Sequence, residues 1–372
     1  MKSPAAVLFE PNARLHVVDV DVEPPRAGEV LVEMAAGGVC HSDLHVMRGE
    51  LDAPTPAVLG HEGAGVVAEV GAGVTSVAPG DHVIPLWRLS CGCCPFCTGG
   101  RPALCPAGTT VRNTGLLPDG TTRFSLDGRP IKMYAGVSTF SRYTVIPEKA
   151  LLKVPADVPL PLAALLGCAV VTGFGAVVNA ARVTPGKTVA VFGTGGVGLN
   201  VVRAAALAGA ATIVAVDLHE AKLREAASFG ATHAVNAASH ADPAGAVREV
   251  TGGTGVDFAF DVVGAPRVTR QAYDALARRG TLVVVGIAPA GQEVALPMTS
   301  LMYEERTVTG SLYGSGDPRA DILKLVDLHR AGKLKLDALL TRTYPLAEIN
   351  EAYDALERGE VLRSTVEFKE KG

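Results

Sequence analysis

The residues of this chain best able to do chemistry are its cysteines and a few histidines. Five of the seven cysteines fall between Cys91 and Cys105, and thiols crowded this way in a long cytosolic chain read as metal ligands rather than as a disulfide scaffold. Cys91, Cys94, Cys97 and Cys105 are spaced C-x2-C-x2-C-x7-C, so one short loop can wrap a tetrahedral ion. Four thiolates would fill every coordination position, which describes a structural zinc site; an iron–sulfur cluster and reduced free thiols are the alternatives. Cys93 breaks the spacing and is left unliganded. A second set is scattered along the chain: Cys40 in Gly38-Val39-Cys40-His41-Ser42-Asp43-Leu44-His45, His61-Glu62 between Gly60 and Gly63, and Cys168 in Gly167-Cys168-Ala169. Singly, each reads as an ordinary buried residue. Together, two thiolates and an imidazole make an open zinc site whose fourth position can hold water or an alcohol.

A third constellation is built of glycine. Gly193-Thr194-Gly195-Gly196-Val197-Gly198 follows the apolar run Thr188–Phe192 and opens a helix. In such a turn the first glycine allows the tight bend, the second lets a pyrophosphate approach the backbone, and the third permits close packing of helix on strand. The unpaired N–H groups at the helix start then favour phosphate. Asp217 ends the next apolar run, where a carboxylate can accept from both ribose hydroxyls and repel a 2′-phosphate, so NAD is expected over NADP.

Elements must hold these residues in place. With 372 residues, 48% hydrophobic and 19% charged, the chain has ample core material, which excludes disorder and fibre and suggests two domains, or one interrupted by another. A net charge of -4 without a basic tract argues against nucleic acid as a partner. Glu10, Arg14, His16, Asp19 and Asp21 interrupt the N-terminal apolar residues, so no signal-peptide core is read and a cytoplasmic location is expected. Val158 to Ala181 is free of charge and long enough to span a bilayer. Its Pro159, Pro161, Gly167, Gly173, Gly175 and Asn179 make it a poor span, so it is expected in the buried interior, with no membrane partner. Short β-type runs punctuated by Gly, Pro and Asp fill the first 150 residues, which read as an irregular β-rich domain. From Thr188 strands alternate with helices as far as Thr307–Tyr313, which implies an α/β fold with a parallel, doubly wound sheet. Two amphipathic helices after Asp321 and a strand at Ser364–Phe368 are expected to return to the first domain.

The Gly60-His61-Glu62-Gly63 segment, the four-cysteine loop and the glycine turn ahead of Asp217, with the spacings between them, resemble the zinc-dependent medium-chain alcohol dehydrogenase family over essentially the whole chain. Within 108–146, Leu117-Pro118-Asp119-Gly120-Thr121 and Gly136-Val137-Ser138-Thr139-Phe140 are similar to its longer branch, which includes glutathione-dependent formaldehyde dehydrogenases and dimeric alcohol dehydrogenases. The resemblance implies a GroES-like catalytic domain from residues 1–169 and 313–372, a Rossmann domain at 170–312 inserted between them, two zinc ions per chain, and NAD. It implies Cys40, His61 and Cys168 as catalytic zinc ligands, with Asp43 behind His61, Glu62 as a carboxylate that approaches the metal during ligand exchange, and Ser42 and His45 as a proton relay. Lys222 matches an adenosine-ribose contact, Thr172 a nicotinamide-side contact and Arg363 a pyrophosphate contact, while His41 stands where a pyrophosphate-binding arginine is common. Leu51, Trp87, Leu104, Tyr134, Ala135 and Ile287 fall around the substrate, Ile287 also beside the cofactor.

The mechanism this implies starts from the high pKa of an alcohol. Zinc as a Lewis acid would stabilise the alkoxide, Ser42 would take the proton and pass it through the cofactor ribose to His45, and hydride would move to the nicotinamide. With metal ligands on one domain and cofactor on the other, the reaction is expected in the cleft between them. The apolar slot suits a hydrophobic primary alcohol or its aldehyde, benzyl-type alcohols among them. Glutathione-dependent members place an acidic residue at the position of Leu51 and an arginine at that of Thr109, and neither is present. A thiol-adduct formaldehyde dehydrogenase, using glutathione or a thiol such as mycothiol, therefore stands as the alternative. A dinucleotide-binding relative without activity is the third reading, which the intact ligand and relay residues disfavour. The strand at Thr307–Tyr313 lies where the family extends one sheet across a two-fold axis, so a homodimer is expected.

Overall fold

The computed structural model describes residues 1–368, in two units: residues 1–168 together with the chain from Asp317 onward, and Ala169–Gly316. The first unit is the β-rich part. Lys2–Leu8, His16–Val22, Phe124–Leu126, Arg129–Met133 and Ala57–Val58 close a small barrel. Beside it runs a seven-stranded sheet in the order Leu151–Lys153, His82–Pro85, Gly63–Val70, Glu29–Val39, Arg363–Glu367, Leu340–Pro345, with Tyr143–Pro147 also paired to Glu29–Val39. Glu29–Val39 is buried along nearly its whole length because it lies at the centre of that sheet, which is why its apolar residues run on without the alternation of a half-exposed strand. The C-terminal strand pairs antiparallel with it, Val366 opposite Gly37. The expected return of the chain end to the first domain is thus a sheet pairing.

The second unit carries six strands, all paired in parallel, in the order His233–Asn236, Thr212–Asp217, Thr188–Phe192, Val256–Asp261, Leu276–Val284, Thr307–Gly310. This is the order of a dinucleotide-binding doubly wound sheet, with the switch point at the end of Thr188–Phe192. Three boundaries differ from the sequence reading, the first by a single residue, since the units divide between Cys168 and Ala169 rather than between 169 and 170. The last strand stops at Gly310, and residues 313–316 stay with this unit because Asn179 Nδ2 donates to the Gly314 carbonyl at 3.0 Å, tying the turn Tyr313–Ser315 to the preceding helix.

The chain leaves the first unit within the apolar helix Leu160–Ala181, which is long and apolar enough to cross a membrane. Of its most apolar stretch, 78% is buried inside the protein, so that surface is core. The helix is not uniform: Leu166–Val170 and Ala176–Ala181 are π-helical. Such widened turns re-aim side chains and gather at functional sites, and Cys168 lies within the first of them.

Candidate active site

Cys40 ends the strand Glu29–Val39 and caps the helix His41–Met47, His61 and Glu62 precede the strand Gly63–Val70, and Cys168 comes from the π-helical turn. One ligand atom from each of these four side chains lies within 4.8 Å of all the others, and all four residues are buried. Asp43 is fully buried and holds the cluster from behind: Oδ1 accepts from the Gly60 N–H at 3.0 Å and Oδ2 stands 3.0 Å from His61 Nδ1. A carboxylate on one ring nitrogen fixes the imidazole's orientation and strengthens the other nitrogen as a donor to metal.

The charges here depend on one another. Burial alone would lower the His61 pKa, but Asp43 and Cys40 lift it well above the ordinary histidine value. A hydrogen bond from Cys168, outweighing burial and helped by His61, holds the Cys40 thiol well below its usual range. Cys168 is pushed well above in return, by that same bond and by burial. Burial raises Glu62 to about 7 against the pull of Arg363. Two thiols sharing one proton beside a buried imidazole and carboxylate form a set that a divalent soft-tolerant cation would satisfy, so the residues fit zinc. Glu62 itself pairs with Arg363 Nη2, and Arg363 is only 3% exposed. Gly38 makes room for this pair, since a Cβ there would stand 2.6 Å from Glu62 Cδ.

Around the cluster, Trp87 and Tyr134 both meet the His61 ring edge-on, with centroids at 5.9 and 5.8 Å. Leu51 and Trp87 pack against the core cluster that contains Tyr134 and Ala135. Leu104 is 46% exposed on the turn Pro102–Leu104, outside that cluster. Ser42 and His45 lie three residues apart on one helix face, with Ser42 Oγ 3.7 Å from Cys40 Sγ. His45 Nδ1 meets Glu50 Oε2 at 2.5 Å, a partner that no motif pointed to because Glu50 lies beyond the helix end.

The second cysteine set is local, with Cys91, Cys94 and Cys97 half-exposed and Cys105 buried. Cys91, Cys94, Cys97 and Cys105 also offer sulfurs all within 4.8 Å of one another. The backbone N–H groups of Cys93 and Cys94 donate to Cys91 Sγ and bring its pKa down to about 6, while burial pushes Cys97 up to about 12. Cys93 is exposed and stands outside the set, its sulfur 3.6 Å from that of Cys91.

In the second unit the turn after Thr188–Phe192 is shaped for a phosphate. Gly193 takes a φ of +93°, a Cβ on Gly198 would stand 1.8 Å from the Gly193 carbonyl, and the space facing Gly195 is open. Val197 and Gly196 begin the following helix, whose N-cap is Gly195. Asp217 Oδ2 accepts from the Thr194 N–H at 2.8 Å and its hydroxyl at 3.1 Å, which fixes the carboxylate beside the turn. The Thr172 hydroxyl is buried without a protein partner. Lys222 is half-buried on the helix after Asp217, Ile287 is 39% exposed, and His41 is exposed at the start of its helix in the first unit.

Residues 26–156 match the alcohol dehydrogenase GroES-like domain, and residues 196–330 match the zinc-binding dehydrogenase domain. An alcohol dehydrogenase class-3 from Cereibacter sphaeroides is 45% identical, covering 99% of this chain and 100% of the relative. An S-(hydroxymethyl)glutathione dehydrogenase from Paracoccus denitrificans is 43% identical over 98% of this chain and 100% of its own length. The crystal structure of a benzyl alcohol dehydrogenase from Acinetobacter calcoaceticus superposes with a TM-score of 0.94 at 34% identity, covering 99% of this chain and 100% of that one. Set beside the buried two-cysteine, one-histidine cluster, the four-cysteine loop and the glycine turn, these likenesses establish that the chain belongs to the zinc-dependent alcohol dehydrogenase family, oxidoreductases that work with zinc and NAD.

Proposed function

We propose that the protein oxidises the hydroxymethyl group of a formaldehyde–thiol adduct, with NAD as acceptor. The whole-length likeness to a relative named S-(hydroxymethyl)glutathione dehydrogenase carries the choice of substrate. When bound, zinc would supply Lewis-acid polarisation of the hydroxyl and NAD would supply hydride acceptance. Cys40, His61 and Cys168 hold the metal, and Asp43 keeps the His61 ring aimed at it. Ser42 takes up the hydroxyl proton and His45 hands it to solvent, its ring held by Glu50. Arg363 keeps Glu62 at the edge of the metal cluster. The fixed Asp217 carboxylate selects NAD over NADP by repelling a 2′-phosphate. Cys91, Cys94, Cys97 and Cys105 bind a second, structural zinc.

A second reading, oxidation of a hydrophobic primary alcohol of benzyl type, is favoured by the rings of Trp87 and Tyr134 beside His61 and by the benzyl alcohol dehydrogenase likeness. Initial rates with NAD separate the two. Formaldehyde oxidation should rise by an order of magnitude or more when glutathione or another low-molecular-weight thiol is added. Equal rates with and without every thiol, alongside good rates on benzyl alcohol, would sink the first reading. Ser42→Ala retaining full turnover across neutral pH would sink the relay.

A homodimer fits the edge strand Thr307–Gly310, which follows in sequence a helix whose Met298, Met302 and Tyr303 are exposed. A cytoplasmic location fits seven cysteines that are all free.

A further inference from the structure

Three arginines of this protein bury their guanidinium groups against carboxylates: Arg363 against Glu62, Arg123 against Glu29, and Arg306 against Glu304. Arg88 does not. Arg88 is half-buried, with its Nε and Nη1 shut off from water and without a hydrogen-bond partner; Arg306 and Arg363 likewise leave Nε unmatched, but each has a carboxylate on another nitrogen. No carboxylate among the described residues acts on it; its charged neighbour is a second arginine, Arg112, whose one side-chain hydrogen bond goes to the neutral Asn113 Oδ1 at 3.2 Å. A guanidinium stays charged at any biological pH, and buried cations are ordinarily paired. Two unmatched N–H donors on such a group therefore point to an anionic acceptor supplied from outside the chain.

The position says which molecule would supply it. Arg88 follows the strand His82–Pro85 and lies over the Trp87 ring, Cζ 5.4 Å from its centroid, while Trp87 meets His61 edge-on. Arg112 is on the helix Pro106–Thr114, which packs against the turn Tyr134–Gly136 whose tyrosine also meets His61. The two arginines thus stand one aromatic side chain away from the metal cluster. Neither occupies the position of Leu51 or Thr109, where glutathione-dependent relatives carry their gripping residues.

We propose that Arg88, seconded by Arg112, is a subsite for a carboxylate on the substrate, whose hydroxymethyl end reacts at the Cys40–His61–Cys168 cluster. The substrate class is a primary alcohol or thiol adduct with a carboxylate on its far side, bridged by an apolar segment lying along Trp87. The proposal rests on the proposed function for the chemistry at the cluster, but the subsite itself is open to a binding measurement.

Trp87 is the only tryptophan in the chain, so its fluorescence reports occupancy directly. The zinc-loaded protein would be titrated with 4-(hydroxymethyl)benzoate and with 4-methylbenzyl alcohol, which share ring and hydroxymethyl group and differ in the carboxylate. The native protein should bind the carboxylate probe about 30–100-fold more tightly, the range expected of hydrogen bonds to a charged partner. Arg88→Met should reduce that ratio to about threefold or less, and Arg88→Lys should restore part of it. Arg112→Met should lower it by a smaller factor, and serves as the second variant if Arg88→Met fails to fold. A native ratio near one, or a ratio retained in a folded Arg88→Met or Arg112→Met protein, overturns the subsite. Rates with NAD on the same probes and on formaldehyde with added glutathione distinguish the two ideas: tight, selective binding with no oxidation of either probe or of the thiol adduct defeats the activity and leaves the subsite standing. Oxidation of both without preference does the reverse.

Discussion

The two cysteine constellations use similar ligands in opposite ways. Cys91, Cys94, Cys97 and Cys105 come from one loop of fifteen residues, are mostly half-exposed, and draw their support from backbone N–H groups. Cys40, His61 and Cys168 come from three distant segments, are fully buried, and are held by side chains that are themselves held: Asp43 on His61 and the Gly60 N–H, and Glu62 beside them on Arg363. A loop with little core of its own depends on its metal for shape. A cluster set in a sheet and a helix has its shape from packing, and the metal adds chemistry. Stability and reactivity are thus separable between the two.

The strongest way to break this comparison is to remove one ligand from each. Cys97→Ser should open the loop, lower the melting temperature by about 10 °C or more, and expose a protease site between Cys91 and Cys105. Cys168→Ser should shift melting by about 3 °C or less while abolishing turnover. Thermal melts with limited proteolysis check both. If Cys168→Ser melted as early as Cys97→Ser, the buried cluster would depend on its metal as well.

The same contrast governs what could be read from the chain. The loop was legible because its ligands sit at fixed short spacing, and the six-stranded sheet because most of its strands are short apolar runs with a glycine or aspartate at the end, as at Phe192-Gly193, Asp217, Asp261 and Gly310. Arg123 was not legible. It sits in Thr122-Arg123-Phe124 like any surface residue, yet it is fully buried and donates to Glu29 Oε2 at 2.8 Å and to Asp119 Oδ2 at 2.6 Å. Those partners lie 94 residues and four residues away, so no local pattern announces the network. Arg88 and Gly38 escape a local reading for the same reason, since what stands next to them comes from distant segments, whereas Glu50 is only five residues from His45 but lies beyond the helix end, where helical spacing no longer pairs side chains. The π-helical turn around Cys168 left only Gly167 as a signal, and a glycine has many uses.

A milder perturbation sharpens the comparison by leaving every ligand in place. Asp43→Asn keeps the shape of the side chain and its bond from Gly60, but removes the charge facing His61 Nδ1. Metal affinity at the buried site should fall about 10–100-fold, while the loop keeps its ion. Titration with a zinc indicator would then resolve one weakened and one unchanged site per chain. Two sites weakened together would mean that the clusters are coupled.

The smallest expected effect belongs to Glu50, which touches neither cluster. Its Oε2 is 2.5 Å from His45 Nδ1; with the carboxylate holding the proton on Nδ1, Nε2 is left as the atom that would accept one in the proposed relay. Glu50→Gln keeps an acceptor of the same size without its charge, and the amide can turn to present its NH2 instead. Both tautomers of His45 then become accessible. Turnover should fall about three- to tenfold, well short of the 10²–10⁴ supplied by a general acid–base group itself, because the relay is mis-set only part of the time. The loss should fall on kcat rather than KM and carry a larger solvent isotope effect, since proton transfer becomes more rate-limiting. Added imidazole should restore part of it by carrying the proton in place of His45. A Glu50→Gln protein with native kcat and a lowered melting temperature would reduce the contact to a tether of the helix end, and the relay would then need no residue beyond Ser42 and His45.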